Sequence, residues 1–329
     1  MQKVNRDALV DRATELLENG VVSYVLGWQR GELGYDVTPT LFKDDESLKR
    51  DFVYSDFCGI NLSKYLVTKT KEREGKILVF LKPCDTYSFN QLLTEHRFDR
   101  ESVYAIGVSC DGMVDIGKIK DTVGEGICSI TPFENGLEIK TIYNDRAYIN
   151  CGDVLLEKCA SCKSKKHVAY DELIGETGEV IDSCRFDEVE KIEKMTPDER
   201  FAFWQGELSK CIRCNACRDA CPACTCERCV FDNPSSGVES KAPTNEFEEK
   251  MFHIIRAFHV AGRCTDCGEC SRACPQNIPL HLLNRKFIKD INTCYGEYQA
   301  GEEIGQRSPL VDYTLDDVEP SEVFEKGDK

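Results

Sequence analysis

Eight cysteines fall into two matching runs. Cys211, Cys214, Cys217 and Cys221 are closed by Pro222, and Cys264, Cys267, Cys270 and Cys274 by Pro275. Each run reads C-x2-C-x2-C-x3-C-P, the spacing that binds a cubane [4Fe–4S] cluster. The short spacings wrap a loop round one corner of the cubane, and a distant fourth thiolate closes the cage. In two-cluster proteins of this kind the fourth cysteine of each run ligates the other cluster. The predicted sets are therefore Cys211, Cys214, Cys217 and Cys274 for one cluster, and Cys264, Cys267, Cys270 and Cys221 for the other. Structural zinc favours isolated C-x2-C pairs, which this pattern is not. The chemistry implied is one-electron transfer.

A second constellation lies upstream. Residues 76–81 form an apolar run, ending in Lys82, Pro83, Cys84 and Asp85, with a helical pattern after it at Phe89, Leu92 and Leu93. Residues 103–108 repeat the plan and end in Ser109, Cys110, Asp111 and Gly112. Continuous apolar runs suit parallel strands covered on both faces, and their alternation with helices argues for an α/β domain. The loops beyond the carboxyl ends of such strands carry function. Cys84 and Cys110 both stand there, side by side if the strands are neighbours. With Cys159 and Cys162 they make a candidate tetrad for a third [4Fe–4S] cluster. Lone buried cysteines are common, so spacing leaves both readings open.

Cys224, Cys226 and Cys229 follow the first run directly. With Cys184 or Cys294 they read either as a fourth metal centre or as spare thiols packed near the clusters. Cys58 reads as a core or loop cysteine or an alternative ligand, and Cys128 and Cys151 as structural. His253 and His259 read as non-ligands. The basic stretch 163–167 reads as a solvated loop, with a flavin pyrophosphate or an acidic partner as the alternatives.

The elements that must place these groups are legible in outline. Residues 6–19 carry Leu9, Ala13 and Leu16 at helical spacing, and residues 21–26 read as a buried strand. Leu137, Ile139, Thr141 and Tyr143 alternate as in an antiparallel hairpin. Thr196, Pro197 and Glu199 form a capping box for a helix with Phe201, Trp204 and Leu208 on one face. A second helix, with Phe247, Met251, Ile254, Ile255 and Phe258, separates the two cysteine runs, and a third spans about 280–292. The expected fold is an α/β N-terminal domain with a partly parallel sheet (residues 1–190) plus a mainly α-helical dicluster ferredoxin domain (191–299). Residues 300–329 read as an extended acidic tail.

Composition narrows the function classes. The 329 residues carry 58 acidic against 42 basic side chains, a net charge of −16. Nucleic acid as main partner is excluded, because phosphate neutralisation needs positive charge. No stretch reaches the roughly 18 apolar residues of a membrane span. The first residues, Met1 to Arg6, lead into a polar amphipathic pattern and not an apolar signal core. The reading is a cytoplasmic protein from a reducing, anaerobic setting, with its thiols on metal.

The stretch from Gly75 to Gly112, with its Lys82–Asp85 and Gly107–Cys110 segments and the later Cys159 and Cys162, resembles the β-subunit family of coenzyme F420-dependent hydrogenases and formate dehydrogenases over about residues 60–175. Residues 205–285 resemble the ferredoxin-type modules attached to that family and to heterodisulfide-reductase-type complexes. The resemblance implies a [4Fe–4S] cluster at Cys84, Cys110, Cys159 and Cys162, near a flavin such as FAD that exchanges hydride with a deazaflavin or nicotinamide. The chain departs from the family after Cys162. The glycine- and serine-rich strands of the flavin-binding members are missing, and no G-x-G-x-x-G fingerprint occurs. The expected role is an electron-transfer subunit working with the catalytic and electron-transfer subunits of an oxidoreductase complex. The alternative is a flavin-bearing catalytic β-subunit. A redox- or iron-sensing interaction protein is a weaker third class, with no DNA-binding feature behind it.

Overall fold

A computed structural model describes residues 4–134, 136–143, 145–163, 166–178, 184–233 and 246–312. Its N-terminal half is built on a five-stranded sheet in the order β2-β1-β3-β4-β8. Helix α1 (Arg6–Glu18) is capped by Asn5, whose side chain accepts from the Asp7 N–H, and it buries Leu9, Val10, Ala13 and Leu16. Strand β1 (Tyr24–Arg30) pairs antiparallel with β2 (Val37–Phe42) and parallel with β3 (Ile77–Leu81). The strand expected over 21–26 thus starts three residues late. The N–H groups of Val21 and Val22 are both spent on the Leu16 carbonyl, closing the helix.

Helices α2 (Asp45–Asp51) and α3 (Ser63–Glu72) intervene before β3, whose five side chains are all buried. Strand β4 (Val103–Val108) runs parallel to β3, with Ile77 opposite Val103 and Leu81 opposite Gly107. This register brings Lys82 to Asp85 and Ser109 to Asp111 out at the same end of the sheet. The segment after β3 is no loop. Pro83 opens α4 (Pro83–Thr94) at the first helical position, where its missing N–H costs nothing. Cys84 therefore sits in the first turn of a helix.

Helix α5 (Ile116–Val123) leads into a separate sheet of β5 (Ile127–Phe133), β6 (Gly136–Thr141) and β7 (Arg146–Asn150), all antiparallel. The expected hairpin has a third strand. Leu137 and Ile139 are buried as the alternation predicts, while Tyr143 lies beyond the strand end and is exposed. The one-turn α6 (Glu157–Ala160) and the short β8 (Glu172–Ile174), parallel to β4, complete this half.

The remainder is helical: α7 (Asp187–Glu193), α8 (Pro197–Leu208), the one-turn α9 (Ala216–Asp219), α10 (Glu246–Val260), the one-turn α11 (Glu269–Arg272) and α12 (Leu280–Tyr295). The Thr196 capping box of α8 forms as expected. Its apolar face is only partly buried: Leu208 is covered, but Phe201 is 60% exposed. Helix α10 departs further. It buries Phe252, His253, Arg256, Ala257 and Val260, while Ile254 and Phe258 face outward. The side chain of Phe247 lies outside the described residues. Two polar residues on the inward face pull the apolar moment away from the true core. Ile254 and Phe258 instead join Trp204, Leu283 and Phe287 around a groove between α7, α8, α10 and α12.

Polar contacts join the two halves. Lys158 of α6 and Glu269 of α11 form a buried ion pair. Lys158 also donates to the Gly59 carbonyl at 2.7 Å, and Arg272 grips both Glu269 oxygens at 2.9 Å. Arg263 holds Glu95 of α4 through two bonds of 2.8 and 2.6 Å. Residues 297–312 add a strap. Tyr298 donates to the Gly262 carbonyl at 2.9 Å, and the Gly305 N–H bonds Thr94 Oγ1 at 2.9 Å. Ala300 and Ser308 are buried. This part of the expected extended tail is therefore packed; residues 313–329 lie outside those described.

Two stability predictions follow from this packing. Gly301 holds φ at +77°, and a Cβ there would meet the Tyr87 carbonyl. Gly301→Ala is expected to lose at least about 1–2 kcal/mol in denaturant unfolding, from the left-handed backbone alone. Lys158→Met should lose about 3–5 kcal/mol, because it leaves Glu269 buried and short of one cation. A Lys158→Met/Glu269→Gln double variant should lose less than the sum of the singles. Strict additivity would show that the pair does not act as a unit.

Candidate functional site

The two cysteine runs fold alike. Arg213 and Asn215 flank Cys214 with φ of 53° and 63°; Asp266 and Gly268 flank Cys267 with 58° and 66°. Such left-handed turns aim backbone N–H groups into a concavity that favours anions. The Arg213 N–H donates to Cys211 Sγ at 3.4 Å. Each loop then enters a one-turn helix, α9 or α11, that carries the third cysteine, Cys217 or Cys270, into the interior. The fourth cysteines cross. Cys211, Cys214 and Cys217 share one small cavity with Cys274. Cys221 packs with Cys264 in a second small cluster.

Among the described residues no group of three His, Cys, Asp or Glu side chains is set to hold a single metal ion. A cubane spreads its four sulfurs wider than one ion does. The surroundings fit an anionic cluster by a second criterion. Arg256 of α10 is 4% exposed, and its Nε has no hydrogen-bond partner. A guanidinium stays charged in a protein, so a buried one left short of partners calls for negative charge nearby. Four thiolates round a cubane supply it. As free thiols these groups are ill at ease: burial pushes Cys270 up to about 12.

The other tetrad meets in a cavity of about 350 Å3, lined among others by Cys84, Cys110, Cys159 and Cys162. Cys84 comes from the first turn of α4, Cys110 from just past β4, Cys159 from α6 and Cys162 from just after it. Gly112, at φ +111°, lets the backbone pass Leu155, and the adjacent Met113 N–H donates to Cys159 Sγ at 3.3 Å. Burial pushes Cys110 up to about 12 and raises Cys84 and Cys159 as well. Two buried lysines work against burial. Lys82 pairs with Asp85 at 2.7 Å, with the two side chains 1% and 0% exposed, and stands 4.6 Å over the Trp28 ring. Lys158 lowers both Cys84 and Cys159. The cavity wall also contains Cys267, so it borders the second ferredoxin cage directly.

One thiol stands elsewhere than the sequence suggested, and the others fall within its alternatives. Cys184, grouped above with Cys224, Cys226 and Cys229, lines the N-terminal cavity. Cys224 is half-buried, and its N–H donates to the Cys221 carbonyl at 3.1 Å. Cys226 and Cys294 are exposed. Cys58 is a core residue, accepting from the Ser55 N–H at 3.3 Å and donating to the Val53 carbonyl. Cys128 is exposed on β5, and Cys151 is half-buried. His253 is buried beside Arg256, and burial holds it down to about 3; His259 is exposed. The basic stretch is not simply solvated. Lys163 is half-buried and donates to Gln299 at 3.2 Å, while His167 is buried with Nε2 3.0 Å from the Val108 carbonyl. Ser164 and Lys165 lie outside the described residues. Sequence reasoning missed Lys82, Lys158, Glu269 and Arg256. The available signal was a lone cation inside an apolar helix or next to a ligand cysteine.

Beyond the carboxyl ends of β4 and β8 lies a second crevice of about 480 Å3, lined by Ser109, Cys110, Asp111 and the Gly175–Gly178 turn. Cys110 belongs to both cavities. Open α/β sheets hold ligands at this end of their strands.

Residues 207–278 match the 4Fe–4S dicluster domain family. The F420-dependent formate dehydrogenase subunit beta of Methanocaldococcus jannaschii is 25% identical, over 83% of this chain and 86% of that protein. The F420-dependent formate dehydrogenase 1 subunit beta of Methanococcus maripaludis is also 25% identical, over 84% and 87%. A chain in the xenon-derivatised F420-reducing [NiFe] hydrogenase complex of Methanosarcina barkeri superposes with a TM-score of 0.38 at 11% identity, over 61% of this chain and 84% of that one. The chain thus joins an α/β half to a 4Fe–4S dicluster domain, and along most of its length it is a relative of the beta subunits of F420-dependent formate dehydrogenases.

Proposed function

We propose that the chain is the iron–sulfur electron-transfer subunit of a cytoplasmic oxidoreductase complex of the formate dehydrogenase type. It would carry electrons between a cluster in its α/β half and two clusters in its dicluster domain. The observation behind this reading is the shared wall. Cys267, assigned to the second ferredoxin cage, also lines the cavity of Cys84, Cys110, Cys159 and Cys162. A [4Fe–4S] cluster takes up and gives back one electron at a time. The chain's own part is to hold and shield it. Cys211, Cys214, Cys217 and Cys274 would ligate the first cluster, Cys264, Cys267, Cys270 and Cys221 the second, and Cys84, Cys110, Cys159 and Cys162 a third. Lys82 and Lys158 would offset thiolate charge in the third cage. The partners are the catalytic and electron-transfer subunits of the complex. No helix among the described residues is long and apolar enough to cross a membrane, which agrees with a partner-bound subunit away from the bilayer.

A second reading has one observation in its favour. The crevice at Ser109–Asp111 and Gly175–Gly178 shares Cys110 with the third cage. An FAD seated there would make the chain a β-subunit that exchanges hydride with coenzyme F420 or a nicotinamide.

Anaerobic purification with iron, sulfide and flavin counted decides between these. The relay reading expects about twelve irons per chain and no flavin. Cys84→Ser combined with Cys110→Ser should bring iron down to about eight and leave the dicluster signals in place. A wild-type chain with only about eight irons would remove the third cluster from the scheme. Stoichiometric flavin would favour the second reading. Zinc without sulfide would overturn both.

A further inference from the structure

Arg256 lies between the two cysteine runs in sequence and is buried beside the first of them. Its Nη2 donates to the Cys217 carbonyl at 2.8 Å in a buried bond. Its Nε is unpartnered, and no carboxylate among the described residues forms an ion pair with it. Two other buried arginines of the helical half are treated differently, since Arg185 and Arg285 share Asp266 at 2.7 and 2.8 Å; a third, Arg213, lies 3.9 Å over the Phe252 ring. The negative groups that act on Arg256 are thiols: Cys221, Cys217, Cys270 and Cys224. Cys217 stands in the first cage, and Cys221 and Cys270 in the second. Cys217 and Cys270 pack in one core cluster, so the guanidinium that holds the Cys217 carbonyl stands near both runs.

The two runs are otherwise alike, and the helix after each presents a polar side chain to the third cysteine. After the second run it is the neutral Asn284, whose Nδ2 donates to Cys270 Sγ at 3.7 Å. After the first run it is Arg256. A neutral donor would have satisfied the Cys217 carbonyl equally well. A charge at this position, kept in a poorly screened interior, acts on both cages at once.

We propose that Arg256 is the shared counter-charge of the two ferredoxin clusters. It holds both at a higher reduction potential than their thiolate cages alone would, and it eases entry of a second electron once the first has arrived. Each reduction adds one negative charge to a cage with no proton following, and the fixed guanidinium offsets part of that charge. The inference rests on the two-cluster reading of residues 207–278 and not on the third cluster.

The test is a redox titration of the full chain, purified anaerobically and followed by electron paramagnetic resonance, with iron and sulfide counted in parallel. Wild type is compared with Arg256→Gln, which keeps a donor for the Cys217 carbonyl but loses the charge, and with Arg256→Lys, which keeps the charge. Arg256→Gln is expected to move both midpoints to more negative potential. At fixed poise the reduced-to-oxidised ratio should fall about tenfold, equivalent to about 59 mV for a one-electron couple. Arg256→Lys should restore most of the shift. Wild-type midpoints in an iron-replete Arg256→Gln chain would overturn the proposal and leave Arg256 as a carbonyl clasp. If Arg256→Gln takes up less iron, cluster content becomes the readout: recovery in Arg256→Lys supports the charge role, and equal loss in both overturns it. A wild-type chain without two such signals would overturn the dicluster reading itself, and this proposal with it.

Discussion

Buried charge is the constraint on which the rest of this structure depends. Three sets of thiols, most of them buried or half-buried, are gathered where a thiolate loses much of its hydration, and desolvating such groups is costly. The chain answers with cations sunk among them: Lys82, Lys158, Arg256, and the Arg185 and Arg285 pair. Some of these are already matched, Lys82 by Asp85 and Lys158 by Glu269. Arg256 is not. The cysteines of the helical half are thus embedded in a polar frame that leaves one buried cation for an anion to match. The frame also explains why so much of the interior between the halves is ionic and not aliphatic.

The same ionic frame fastens the two halves. Lys158 precedes Cys159, and Glu269 falls between Cys267 and Cys270. The residues that dock α6 on α11 are therefore the neighbours of the cysteines proposed as ligands. Docking error at this joint would be transmitted at once to the spacing between cages. Broken buried pairs are expensive, so the joint resists the domain motion expected of a small polar interface.

Much of this was legible in the sequence, because ligand spacing and strand hydrophobicity are local signals. The cysteine runs, the parallel pair β3 and β4, the Thr196 capping box and the position of Cys110 all read correctly. What was not legible has a common cause. Residues 252–260 were assigned the wrong inward face because His253 and Arg256 turn toward the cages and the apolar Ile254 and Phe258 turn away. Periodicity ranks faces by hydrophobicity, and here charge decides. Cys184 reads, with Cys294, as a distant partner for Cys224, Cys226 and Cys229, whereas the fold carries it to the N-terminal cavity. Residues 300–312 looked like a free acidic tail, yet glycines and short side chains let them lie against α4 with little apolar content.

That strap has a consequence for access. Helix α4 carries Cys84 in its first turn, and residues 297–312 lie against it through Gly301 at the Tyr87 carbonyl and Gly305 at Thr94. Gln299 of the same strap lines the cavity of Cys84, Cys110, Cys159 and Cys162. Cover and cavity wall are thus one piece of chain, so loosening the strap would widen the cavity as it uncovers the helix.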